Sequence, residues 1–209
     1  MILNALAIFF IWMIYRELTS DSDKFDGFAV GYIIVLVSLA VVCVRPSYKT
    51  WRLEVFLSEK ASEISGREGV KVGCNTLFDS IFNGRGIDSG TGTAHIEAGE
   101  IYFENGWCKS FMKYLDAPEG AADEEVFSMN LFTHEVMHIK GERHELKTEC
   151  QAIQRNHEVG VVLGVDPWVA KENALRYYKD IYPRVNYFSS ECKPEGAFDE
   201  KLDGAIWLK

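Results

Sequence analysis

The chain reads as an α+β protein, mainly helical with a small antiparallel β element, behind an N-terminal helical hairpin apolar enough for a membrane. Three observations predict this. Two apolar runs occupy most of the first 45 residues, and two short segments around Ala98-Gly99 alternate as strands do. Beyond them, three helical stretches with cap signals follow one another from residue 123 to residue 183. The net charge of −9 leaves no basic stripe to neutralise phosphates, so nucleic acid is not expected as a partner.

Met1–Tyr15 is apolar except for Asn4, and Phe28–Val44 is a second apolar run. A bilayer span takes about 20 residues, with a range of roughly 17–25, and flanking residues such as Leu18 and Phe25 extend both runs into it. No basic segment precedes the first run and no small-residue cleavage site follows. Residues 1–45 are therefore expected to be a two-span transmembrane anchor rather than a cleaved leader. Residues 46–66 read as an amphipathic juxtamembrane helix, with Trp51 beside Lys49 and Arg52 suited to the membrane interface. Residues 67–209 remain as one domain, long enough to bury a core.

The side of the membrane stays open. Arg45, Lys49, Arg52 and Lys60 follow the second run, and basic residues favour the cytoplasmic face. Cys74, Cys108, Cys150 and Cys192 form an even set in a small domain, which permits two disulfides and an oxidising exterior. These signals oppose each other.

Within the domain, Val70-Lys71-Val72 alternates as a strand, and Gly84, Gly86, Gly90 and Gly92 mark a loop. Thr93–Glu97 and Glu100–Glu104 form the expected hairpin, with His95 as a cross-strand or surface residue. A helix over about 123–140 opens on Asp123, Glu124 and Glu125 and closes at Gly141. A second runs from Glu145 to about Val162. A third opens at Asp166-Pro167 and stops at Pro183.

The first of these helices carries His134-Glu135-Val136-Met137-His138. Histidines four apart share one helical face, so both imidazoles reach one metal ion, and the glutamate between them is placed as general base for a water. The motif predicts a zinc-dependent hydrolase. A catalytic zinc takes three protein ligands, so a third must follow. Glu149 is favoured by a helical count: with the second helix returning from about residue 143, it stands level with Glu135. His144 is the alternative, and Glu145, nearer the turn, is better suited to orienting a ligand histidine. Tyr177, Tyr178, Tyr182 and Tyr187 are candidates to stabilise an oxyanion.

His134, Glu135, His138, Gly141 and His144 together resemble the metzincin signature, although no methionine follows Met137 to make that family's turn. A glutamate on the next helix, here Glu149, is similar to the gluzincin scheme. His134 to Gln154 also resembles a little-characterised group of bacterial membrane-anchored proteins assigned as zinc peptidases. Their pattern runs from H-E-x-x-H through a glycine to E-C-x-A-x-Q, here Glu149, Cys150, Ala152 and Gln154. Glu191-Cys192-Lys193-Pro194-Glu195-Gly196 echoes a segment of the same group. The resemblance implies a zincin-like domain, Zn²⁺ as cofactor, a peptide or protein substrate, and an edge strand beside the cleft, with hairpin 93–104 as its counterpart. Beside the peptidase stands a second expectation, a non-catalytic metal-binding or regulatory module. Closed coordination by both His144 and Glu149 would mark it.

Overall fold

A computed structural model describes residues 2–19, 27–75 and 92–207. The glycines at 84, 86 and 90 lie outside the described residues. The chain divides into two compact units, Met1–Leu53 and Glu54–Lys209.

The first unit holds α1 (Ile2–Leu18) and most of α2 (Gly27–Ser65). Ile8, Phe9, Ile11 and Trp12 of α1 and Phe28, Ile34 and Val42 of α2 are exposed apolar side chains. The hydroxyl of Ser38 donates back to the Ile34 carbonyl at 2.8 Å, which satisfies it within its own helix. Among the described residues, only α2 is long and apolar enough to cross a membrane; α1, at 17 residues, is shorter. The expected juxtamembrane helix is not a separate element, because α2 continues without a break to Ser65.

In the second unit, β1 (Lys71–Asn75), β2 (Gly92–His95) and β3 (Glu100–Glu104) form a sheet of order β1-β3-β2. The hairpin β2–β3 is antiparallel as expected, with Gly92 opposite Phe103 and His95 opposite Glu100. β1 joins β3 in parallel, so the sheet is mixed rather than antiparallel. The outer edge of β1 does not stay open. The backbone N–H groups of Val70, Val72 and Cys74 donate to Ser62 Oγ (3.1 Å), Ser58 Oγ (2.9 Å) and Glu54 Oε1 (2.8 Å) on the last turns of α2. Outward N–H groups recur every second residue of a strand, and side chains recur every fourth residue along a helix face, so the two rows meet rung for rung.

β3 runs directly into α3 (Asn105–Asp116), whose Trp107, Phe111 and Tyr114 are buried at helical spacing. The ring of Trp107 stacks on Phe103 with centroids 3.6 Å apart, and Phe111 meets Phe132 at 5.6 Å. This aromatic core joins the sheet to α4 (Asp123–Ile139). The Glu125 carboxylate accepts the Ala122 N–H at 2.8 Å and closes the start of α4, where three acidic residues oppose the helix dipole. Gly141 ends it at φ +115°, a conformation that side chains rarely adopt, with Glu142 N–H bonded back to the Met137 carbonyl. α5 (Glu145–Val162) then returns beside α4, and α6 (Pro167–Arg176) follows, capped by Asp166. Disulfides Cys74–Cys108 and Cys150–Cys192 tie β1 to α3 and α5 to the C-terminal segment.

Candidate metal centre

α4 is buried on nearly every side, and its two histidines stand at the floor of a cleft of about 750 Å³. Three donor atoms converge there. His134 Nε2 and His138 Nε2 are 3.1 Å apart, and Glu145 Oε2 lies 3.1 Å from the first and 3.3 Å from the second. The other ring nitrogens are already engaged. His134 Nδ1–H donates to Glu149 Oε2 at 2.8 Å, and His138 Nδ1–H donates to the Glu142 carbonyl at 2.7 Å. With both Nδ1 atoms so engaged, the two Nε2 atoms and a carboxylate oxygen face one point, which a proton on His134 Nε2 or a metal ion can occupy. Tetrahedral bonds of about 2.0–2.2 Å separate neighbouring donors by roughly 3.3–3.6 Å, a few tenths of an ångström wider than the spacing here, so a small outward shift of the donors would admit a metal ion. His134, His138 and Glu145 are thus a group able to hold one.

This revises the expected third ligand. Glu149, which the helical count set level with Glu135, contacts His134 from α5, but on the Nδ1 side of the ring, away from the convergence. Its Oε1 accepts from Asn130 Nδ2 at 2.9 Å and from the Tyr177 hydroxyl at 2.6 Å, and Asn130 Oδ1 accepts from Asn156 at 2.7 Å. Glu149 and Tyr177 are almost fully buried. The carboxylate holds the histidine in place, the role expected of Glu145, and Glu145 stands where Glu149 was expected. His144 reaches neither nitrogen. It caps α5, its Nδ1 accepting the Lys147 N–H at 3.3 Å, and its ring lies 5.9 Å from that of Phe198.

Glu135 faces the cleft from α4, 5 % exposed, with the Ala94 backbone N–H donating to its carboxylate and Oε2 without a partner among the described residues. Burial pushes its pKa up to about 7, against the pull of His134; the nearby Glu145 adds to the rise. His134 moves the opposite way for a base. Burial opposes its charged form, but the Glu145 and Glu149 carboxylates outweigh burial and hold its pKa up to about 10. Metal binding must therefore displace a proton from this ring.

β2 forms one wall of the cleft through Gly92, Thr93 and Ala94. A Cβ at Gly92 would stand 2.8 Å from the Phe103 ring and 3.1 Å from Glu135 Oε1, so only glycine lets the strand lie this close to the carboxylate. No family model, curated protein or solved structure matches this chain.

Of the four tyrosines, only Tyr187 lines the cleft, its ring 5.5 Å from that of His134. Burial, with the Glu145, Glu135 and Glu149 charges behind it, raises its pKa, so the hydroxyl keeps its proton at neutral pH. Tyr178 donates to the Cys192 carbonyl and Tyr182 to that of Ser189, both away from the donors. His95, the last residue of β2, is a cross-strand residue that does not line the cleft, its ring 5.8 Å from that of Tyr102 on β3. Arg143, which no motif singled out, lines the cleft mouth. Its signal in the sequence is its place between Gly141 and Glu145, in the turn that joins the two ligand-bearing helices.

Proposed function

We propose that this protein is a membrane-anchored, zinc-dependent peptidase of zincin-like form. The observation that carries the reading is the convergence of His134, His138 and Glu145 in an open cleft, beside a buried Glu135 oxygen that has no partner among the described residues. Two imidazoles and one carboxylate are the donor set of many catalytic zinc sites and leave a fourth position free. When bound, the ion acidifies a water and polarises the scissile carbonyl.

The chain's own residues do the rest. Glu135 takes the proton of the attacking water and returns it to the leaving amine; a pKa near neutrality suits both transfers. Glu149, itself held by Asn130 and Tyr177, keeps His134 Nε2 aimed at the ion. Tyr187 is the tyrosine placed to donate to the developing oxyanion. β2, an outer strand of the sheet among the described residues and a wall of the cleft, is the strand beside which an extended peptide would lie. The reading agrees with the resemblance of His134–Gln154 to membrane-anchored zinc peptidases. The apolar run of α1 would add a second span to that of α2, and the two disulfides favour an oxidising compartment for the catalytic unit. A non-catalytic module closed by four ligands is disfavoured, because His144 and Glu149 are both engaged elsewhere.

The test is zinc content and peptide hydrolysis by the full chain in detergent. One zinc per chain is expected, and Glu135→Gln should keep it while losing turnover. Hydrolysis that persists in Glu135→Gln would overturn the mechanism, and a folded chain without zinc would overturn the reading.

A further inference from the structure

The cleft is polarised along α4, and that polarity narrows the substrates of the proposed peptidase, on which this inference rests. Phe127, Leu131 and Val185 line one end. Phe127 precedes His134 by seven residues, about 10 Å along the helix, so this apolar end stands clear of the metal donors. Arg143 lines the other end and is the only Lys or Arg doing so among the described residues.

Among the described residues, the Arg143 guanidinium forms no ion pair with the carboxylates at the donors, Glu135, Glu145 and Glu149. Its partner comes from outside: Arg143 Nη2 donates to Glu97 Oε1 at 2.6 Å, on the turn that follows β2. The pair is highly exposed, 71 % and 88 % for the two side chains, and exposed pairs of this kind hold weakly and exchange readily. Glu97 is in effect a carboxylate supplied by the protein itself to a site at the end of the cleft. A peptide laid along β2 would run past Ala94 and Ile96 toward that same guanidinium. Its planar fork matches a carboxylate in two parallel hydrogen bonds.

We propose that Arg143 selects substrates carrying a carboxylate at the end of the cleft opposite Phe127 and Leu131, and that this group displaces Glu97. The carboxylate is either an Asp or Glu side chain or the free C-terminus of the peptide.

The test is cleavage-site profiling of a complex peptide mixture by the zinc-loaded full chain in detergent. Sites should show Asp or Glu at a fixed position on one side of the scissile bond, or lie at a fixed distance from a free C-terminus. Glu→Gln substitution and C-terminal amidation of one good substrate separate these sources. Arg143→Ala should lower kcat/KM for that substrate roughly ten- to hundredfold and leave the uncharged version unchanged. Glu97→Gln, which frees the guanidinium, should lower KM severalfold, a gain that misfolding cannot produce. Cleavage without carboxylate preference, or an equal loss on both substrates in Arg143→Ala, would overturn the proposal and leave the peptidase standing. A zinc-loaded wild type that cleaves nothing would remove both.

Discussion

Glu145 and Glu149 stand one helical turn apart on α5, both contact His134, and they do different work. Glu145 is half exposed at the cleft and meets Nε2, beside the second histidine. Glu149 is buried and meets Nδ1, with an asparagine and a tyrosine behind it. The difference teaches that the identity of a ligand is decided by which ring nitrogen a carboxylate faces. About 6 Å along one helix turns the same side chain from a donor able to meet a metal ion into a brace for the histidine beside it.

The largest effect should come from Glu145→Ala. Metal affinity, read by competition with a chelator, should fall by more than the roughly hundredfold upper range for outer partners. Next comes the third carboxylate. The folded pKa of Glu135, about 7, lies above its ordinary value of 4.5, so the metal-free folded state holds this proton more tightly than the unfolded chain. The resulting cost is absent below pH 4.5 and complete above pH 7. Denaturation of the metal-free protein at pH 8 should show Glu135→Gln more stable than wild type by on the order of 3 kcal/mol. That gain should fade toward zero as pH drops below 4.5; a gain independent of pH would refute the burial account.

Glu149→Gln should weaken metal binding by about 10- to 100-fold, less than Glu145→Ala. The reverse order would exchange their assigned roles. Smallest of all, Tyr177→Phe removes one hydrogen bond behind Glu149, and metal affinity should drop only a few-fold. A Tyr177→Phe loss as large as that of Glu149→Gln would mean that the brace works through the tyrosine.

The helix that carries the two histidines was legible in the sequence. The H-E-x-x-H spacing, the acidic start of α4, Gly141 and the capped start of α6 all read correctly because each is a local signal. The carboxylate that meets the two Nε2 atoms did not, since the count set Glu149 rather than Glu145 at the donors, and one turn of α5, about 6 Å, decides which ring nitrogen a carboxylate meets. α3 also escaped notice: Glu104 offers its first turn no side-chain hydrogen bond, and β3 passes into it without a loop residue. The parallel pairing of β1 with β3 is set by partners 29 residues apart, such as Lys71 and Glu100, which no local pattern encodes.

The rungs between α2 and β1 behave as a vernier scale. Four helical residues advance about 6.0 Å, and two strand residues about 6.6 Å. From Glu54 to Ser62 the two scales slip by only about 1.2 Å, within what side chains absorb. A fifth rung would double that slip, so the match is self-limiting and a guarded edge of this kind must be short. Inserting one residue between Ser58 and Ser62 would turn the remaining rung by about 100° and reopen that end of the strand to any passing chain.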